Sequence, residues 1–77
     1  MENIYLLKDL SRITGHSIHT LKYYSRIGLL EEIGRSPETN FRYFDDSSVL
    51  RLKNIRELRT RGFSLREITE ELRVKSL

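Results

Sequence analysis

From Leu6 to Thr14 the apolar residues Leu6, Leu7, Leu10 and Ile13 recur at three- and four-residue spacing. That spacing is one stripe of a helix, so it predicts a short helix with those four side chains inward. Gly15 follows, where a left-handed residue commonly closes a last turn. Ser17 is a good N-cap for a second helix running from Ile18 to about Ile27, with Ile18, Leu21 and Tyr24 or Ser25 toward the core and Gly28 as its stop. Leu29, Leu30 and Ile33 keep the chain packed beyond it. The polar stretch Gly34-Arg35-Ser36-Pro37-Glu38-Thr39-Asn40 then separates two short predicted strands, the second being Phe41-Arg42-Tyr43-Phe44. In that turn Asn40 tolerates positive φ better than most residues. Asp45 caps a third predicted helix over about 46–61, with Val49, Leu52, Ile55 and Leu58 inward, and Gly62 ends it. Ser64-Leu65-Arg66-Glu67 has the form of a capping box, opening a fourth helix over about 65–73 whose inward residues are Leu65, Ile68 and Leu72.

The order is therefore helix, helix, β-hairpin, helix, helix. This is a mainly α, winged helix-turn-helix architecture, with the helix-turn-helix at about 6–27 and the wing at about 33–44. Seventy-seven residues suffice for one domain, expected to span 1–77, and such a chain buries only roughly 60–65% of its unfolded surface. With no cysteine, neither disulfides nor thiolate zinc sites can staple the fold. No stretch is long and apolar enough to span a bilayer and the N-terminus lacks a signal-peptide layout, so a cytoplasmic, nucleoid-associated protein with no membrane partner is expected.

Charge changes the picture only through its placement. The balance of 14 Lys and Arg against 11 Asp and Glu, a net +3, argues weakly for a polyanionic partner. Many acids fall at helix starts (Asp45, Asp46, Glu67), where they complement the helix dipole. The densest cationic series, Arg51, Lys53, Arg56, Arg59 and Arg61, falls on the third helix, and much of the positive charge is then expected to be free for another role.

A helix-turn-helix sets its second helix in the major groove and reads base edges with the first turns of that helix. The outward candidates there are His16, Ser17, His19 and Thr20. Lys22, Tyr23 and Arg26, at three- and four-residue spacing, suit backbone phosphates. On the wing, Arg35, Thr39 and Arg42 can lie along the backbone beside the groove. Phe44 and Phe41 are expected in the core, with Tyr43 at the surface. Each set also has a plainer reading, as solvated helix positions and an ordinary turn. Catalysis finds little footing. His16 and His19 lack a third ligand at metal spacing, no Gly-rich phosphate loop or nucleophile elbow is present, and Asp45 and Asp46 are adjacent and diverge. A non-enzyme with no cofactor and no metal is expected.

The stretch Thr14-Gly15-His16-Ser17-Ile18-His19-Thr20-Leu21-Lys22-Tyr23-Tyr24-Ser25-Arg26-Ile27-Gly28-Leu29-Leu30 resembles the DNA-reading domain of MerR-type transcriptional regulators. Phe41-Arg42-Tyr43-Phe44 resembles that family's wing, and Ile55 through Arg61-Gly62-Phe63-Ser64-Leu65 its closing helix and turn. The resemblance runs from Tyr5 to Phe63. It implies a phosphate or base-edge contact for Lys22, a DNA contact for Tyr23, a structural role for Tyr24 and a backbone contact for Arg42. The chain also departs from the family pattern. Lys22 replaces an arginine, losing the bidentate fork, Asn40 stands where the wing commonly has glycine, and His19 stands where a basic or other polar residue is usual.

The resemblance further implies sequence-specific binding of double-stranded DNA, an inverted-repeat promoter operator, an indirect effect on RNA polymerase, and a homodimer formed through a long C-terminal helix. That helix does not occur before Leu77, so an excised regulator domain is expected. A naturally short, excisionase-like or architectural DNA-binding protein of the same fold is one alternative. A protein-interaction adaptor docking through Leu50 and the third helix is the other.

Overall fold

The structure is a computed structural model that describes residues 3–75 and, in side chains, residues 3–72; the expected limits at Met1 and Leu77 lie outside that range. Its elements are β1 (Tyr5–Leu6), α1 (Leu7–Thr14), α2 (Ile18–Arg26), β2 (Gly34–Arg35), β3 (Arg42–Phe44), α3 (Asp46–Thr60) and α4 (Leu65–Lys75). The four helices arrive in the expected order and nearly on the expected bounds.

Their ends follow from local chemistry. At the start of α1, Asp9 Oδ2 accepts the Leu6 amide at 2.8 Å. Ser17 Oγ accepts the Thr20 amide at 3.1 Å and so caps α2, and Asp45 Oδ1 accepts the Ser47 amide at 3.0 Å and caps α3. The capping box of α4 closes in both directions, Ser64 N donating to Glu67 Oε1 at 2.9 Å and Glu67 N to Ser64 Oγ at 3.2 Å. Helices α2 and α3 stop by the same device. Gly28 has φ +85° and Gly62 φ +95°. Around them run the paired bonds Leu29 N to Tyr24 O with Gly28 N to Ser25 O, and Phe63 N to Leu58 O with Gly62 N to Arg59 O. That pattern needs a left-handed residue, which glycine adopts without steric cost.

The sheet is larger than expected. β3 is its middle strand, in the order β1-β3-β2, with Tyr5 opposite Phe44 and Leu6 opposite Tyr43 on one side, and Gly34 opposite Tyr43 and Arg35 opposite Arg42 on the other. β1 has only two residues, too few to show an alternating pattern, so Leu6 read as the first residue of the helix. Pairing β1 onto β3 ties the N-terminus to the wing's base, and Tyr5 Oη adds a 2.7 Å bond to Asp46 Oδ1 at the start of α3.

One core joins the helices to this sheet. Leu10, Leu21, Leu29, Phe44, Leu52, Ile55 and Ile68 are fully enclosed, with Tyr24, Leu30, Val49, Leu58 and Leu72 around them. Four expected core residues prove exposed: Ile13, Ile18, Ile33 and Phe41. Ile13 and Ile18 belong to helices so short that a stripe wider than the actual contact satisfies the same period. Ile33 and Phe41 flank the two-stranded end of the sheet, where only the Phe44 side faces the helices. In β3 successive side chains alternate faces, and three residues of strand place Phe41 outside that pattern altogether.

Candidate nucleic-acid interface

α2 presents His19, Lys22, Tyr23 and Arg26 to solvent, all exposed and at helical spacing that puts them along one side. Leu21 and Tyr24 point inward and anchor the helix to the core. His16, expected outward, is instead half-buried. Its ring meets Tyr24 edge-on at 5.7 Å and its Nδ1 lies 3.1 Å from Thr14 Oγ1. Burial, and then the nearby Arg56 guanidinium, hold its imidazole below the usual histidine range, so it is neutral near pH 7. Ser17 and Thr20 sit at the helix start as expected, but their hydroxyls bond each other at 2.9 Å while Ser17 caps the helix.

The wing faces the C-terminal half of α2. Arg35 and Arg42 are directly opposite each other across the β2–β3 pair, an arrangement of like charges that costs stability unless compensated. Glu32 compensates it. Its Oε1 takes a 3.2 Å bond from Arg35 Nη2 and lies 3.6 Å from Arg42 Nε, while its Oε2 takes a bond from Arg35 Nε. The Arg35 hydrogen bond holds the Glu32 carboxyl below the usual carboxylate range. At the wing tip Ser36 N donates to Phe41 O and Asn40 N to Ser36 O, with Asn40 at φ +62°. Thr39 serves that turn, its Oγ1 accepting the Phe41 amide at 3.2 Å. Tyr43 is half-buried with the hydroxyl end of its ring over Gly34, so a larger residue there would have to displace that ring.

Two hollows open between α2 and the wing. One, of about 420 Å³, is bounded by Leu6, Leu7 and Phe41 with Lys8 and Asn40; the other, of about 370 Å³, by Ser25, Arg26 and Glu32. Lys22, Arg35 and Arg42 line both. Sequence reasoning named these three cations separately, on a helix and on a turn, and the fold sets them side by side. It missed Phe41 as a surface residue, 60% exposed beside the cations, and it missed Glu32. The signal for Glu32 was its three-residue spacing from Arg35, which reads as an ordinary solvated pair until the strand register brings Arg42 across. Two side-chain atoms of residues lining the second hollow are themselves buried and have no hydrogen-bond partner, Arg42 Nη1 and Ser25 Oγ.

The basic row on α3 does not join this cleft. Arg51 Nε donates to Leu29 O at 3.0 Å, Arg56 Nη2 to Thr14 O at 3.0 Å and Arg59 Nη1 to Phe63 O at 3.3 Å. Arg61 lies over the Phe63 ring. The expectation that much of the positive charge is free does not extend to Arg51, Arg56 and Arg59, because carbonyls left over at helix ends and turns attract their guanidinium donors. Leu50 is exposed on the same helix.

A profile of the MerR HTH family of regulatory proteins matches residues 5–75. The chain belongs to the MerR HTH family. Among curated relatives, this MerR-family chain is 33% identical over 67 residues to the multidrug-efflux transporter 1 regulator of Bacillus subtilis, covering 87% of the chain and 24% of that protein. It is 33% identical over 72 residues to the transcriptional regulator ZntR of Escherichia coli, covering 94% of the chain and 50% of ZntR. The chain thus spans a quarter to a half of the length of these relatives. The crystal structure of a MerR-family regulator from Bacillus cereus superimposes with a TM-score of 0.84 over 91% of the chain and 52% of that structure, at 23% identity, and shows the shared fold. HiNmlR, a MerR-family regulator lacking the sensor domain and bound to promoter DNA, superimposes with a TM-score of 0.83 at 27% identity, over 95% of the chain and 55% of its own. The winged helix-turn-helix expected from the sequence is the observed fold. Among the described residues no helix is long and apolar enough to cross a membrane, and no group of three or more His, Cys, Asp or Glu is placed to hold a metal.

Proposed function

We propose that this chain is the DNA-reading head of a MerR-type transcriptional regulator and binds duplex DNA with α2 in the major groove and the wing on the adjacent backbone. The observation that carries the reading is the meeting of Lys22 from α2 with Arg35 and Arg42 from the wing along both hollows. A row of cations shared by a helix and a hairpin suits a helix in the groove with a wing on the flanking phosphates. HiNmlR, with the same fold, is bound to promoter DNA. In this arrangement His19 meets base edges, while Lys22, Tyr23, Arg26, Arg35 and Arg42 meet the backbone. Ser17 and Thr20 hold the start of the reading helix, with their remaining hydroxyl capacity turned to the groove. Thr39 shapes the wing tip and Tyr43 its base, each offering a hydroxyl for a further backbone contact. Two such heads in a dimeric regulator would occupy an inverted repeat.

The test is selection of bound duplexes from a random pool at moderate salt, followed by sequencing. An enriched half-site or inverted repeat is expected. Enrichment of direct repeats would replace the regulator reading with an architectural one, and no binding of any duplex would refute DNA recognition.

A further inference from the structure

The cleft contains one carboxylate that sits badly with a surface for DNA. Glu32 lines the second hollow together with Lys22, Arg26, Arg35 and Arg42, and a fixed negative charge there repels phosphate. Its position nevertheless follows from the strand register, because Arg35 and Arg42 face each other and need an anion between them. Its two oxygens contact both guanidiniums, as two oxygens of a phosphodiester can.

We propose that Glu32 stands in for a DNA backbone phosphate in the free protein, bridging Arg35 and Arg42 until a phosphodiester displaces it. The exchange presupposes the DNA-binding reading above. Both guanidiniums keep an anionic partner throughout, so the wing is held in its binding shape before DNA arrives. The outgoing pair is open to solvent on one side, the Glu32 and Arg35 side chains being 28% and 43% exposed, so a competing anion can reach it. Glu32 thereby lowers the affinity of the head for DNA of any sequence while leaving base readout by α2 untouched. The penalty falls equally on every sequence, so it lowers affinity without changing the ratio of specific to unspecific binding.

The experiment compares the wild type, Glu32→Gln and Glu31→Gln on a fluorescein-labelled duplex of mixed sequence across a salt series. Glu31 is the charge-matched control, exposed one residue away and lining a different hollow with Ser47, Ser48 and Arg51. Glu32→Gln should bind about fivefold more tightly at low salt, with a salt slope steeper by about one, and Glu31→Gln should change affinity by less than about twofold. A purely structural role for Glu32 would weaken binding and leave the slope alone, which would overturn the exchange, as would equal gains in the two variants. If the wild type binds but Glu32→Gln does not differ from it, only the exchange fails. If neither the wild type nor Glu32→Gln binds, the DNA reading fails with it.

Discussion

The arginines of α3 and the cations between α2 and the wing come from one sequence composition and do opposite things. On α3, Arg51, Arg56 and Arg59 each find a backbone carbonyl, at the turn after α2, the end of α1 and the turn before α4. In the cleft, Lys22 and Arg26 stand exposed, and Arg35 and Arg42 share one carboxylate. A guanidinium satisfied by a carbonyl holds the fold together. One held by a solvent-facing ion pair can be given over to a phosphate. The comparison teaches that net charge says little about nucleic-acid binding until each cation's partner is known.

That division can be broken by paired measurements. The largest effect is expected from Arg42→Ala, which should weaken binding to any duplex about tenfold and flatten the salt slope by about one, with little change in Tm. A drop in Tm equal to that of a core variant would place Arg42 with the structural arginines instead. His19→Ala sharpens the other side of the cleft. Discrimination between the preferred and altered base pairs should shrink by roughly 1–3 kcal/mol while affinity for mixed-sequence DNA holds, as measured by competition with single-base operator variants.

Arg56→Ala is the mirror of Arg42→Ala. Losing the bond to Thr14 O should cost about 1 kcal/mol, a fall in Tm of roughly 4–8 °C, while DNA affinity stays within about twofold. Thermal melts beside fluorescence titrations read both quantities, and a parallel loss of binding would erase the division.

The smallest effect lies in acid. Burial holds His16 below the ordinary histidine value of 6.5, so the neutral ring is favoured in the fold, and that stability is present above pH 6.5 and lost as pH falls below it. Glu67 is held below the ordinary glutamate value of 4.5 by the Ser64 amide, and its contribution is present above pH 4.5 and lost as pH falls through the depressed value. Tm should therefore decline in two stages on acidification. His16→Gln should flatten the upper stage alone, and a Tm that rises toward acid would contradict both assignments.

What the sequence determined by itself was everything carried by near neighbours. Helix periods, the caps at Ser17, Asp45 and Ser64, and the glycine stops at Gly28 and Gly62 each rest on residues a few positions apart, and so does the turn at Asn40. The block from Thr14 to Leu30 was enough to point to the family. Pairings between distant segments belonged to tertiary structure alone. The register of three short strands decided that Tyr5 and Leu6 form an edge of the sheet, that Phe41 faces solvent and Phe44 the core, and that Glu32 comes between Arg35 and Arg42. Packing of α3 against α1 and against the turn after α2 decided which arginines were used up on carbonyls. The reason is physical. A cap or a turn is settled by the dihedral angles and hydrogen bonds of a few consecutive residues. The partner of a long, flexible, charged side chain depends on which of several nearby acceptors the whole fold brings within reach.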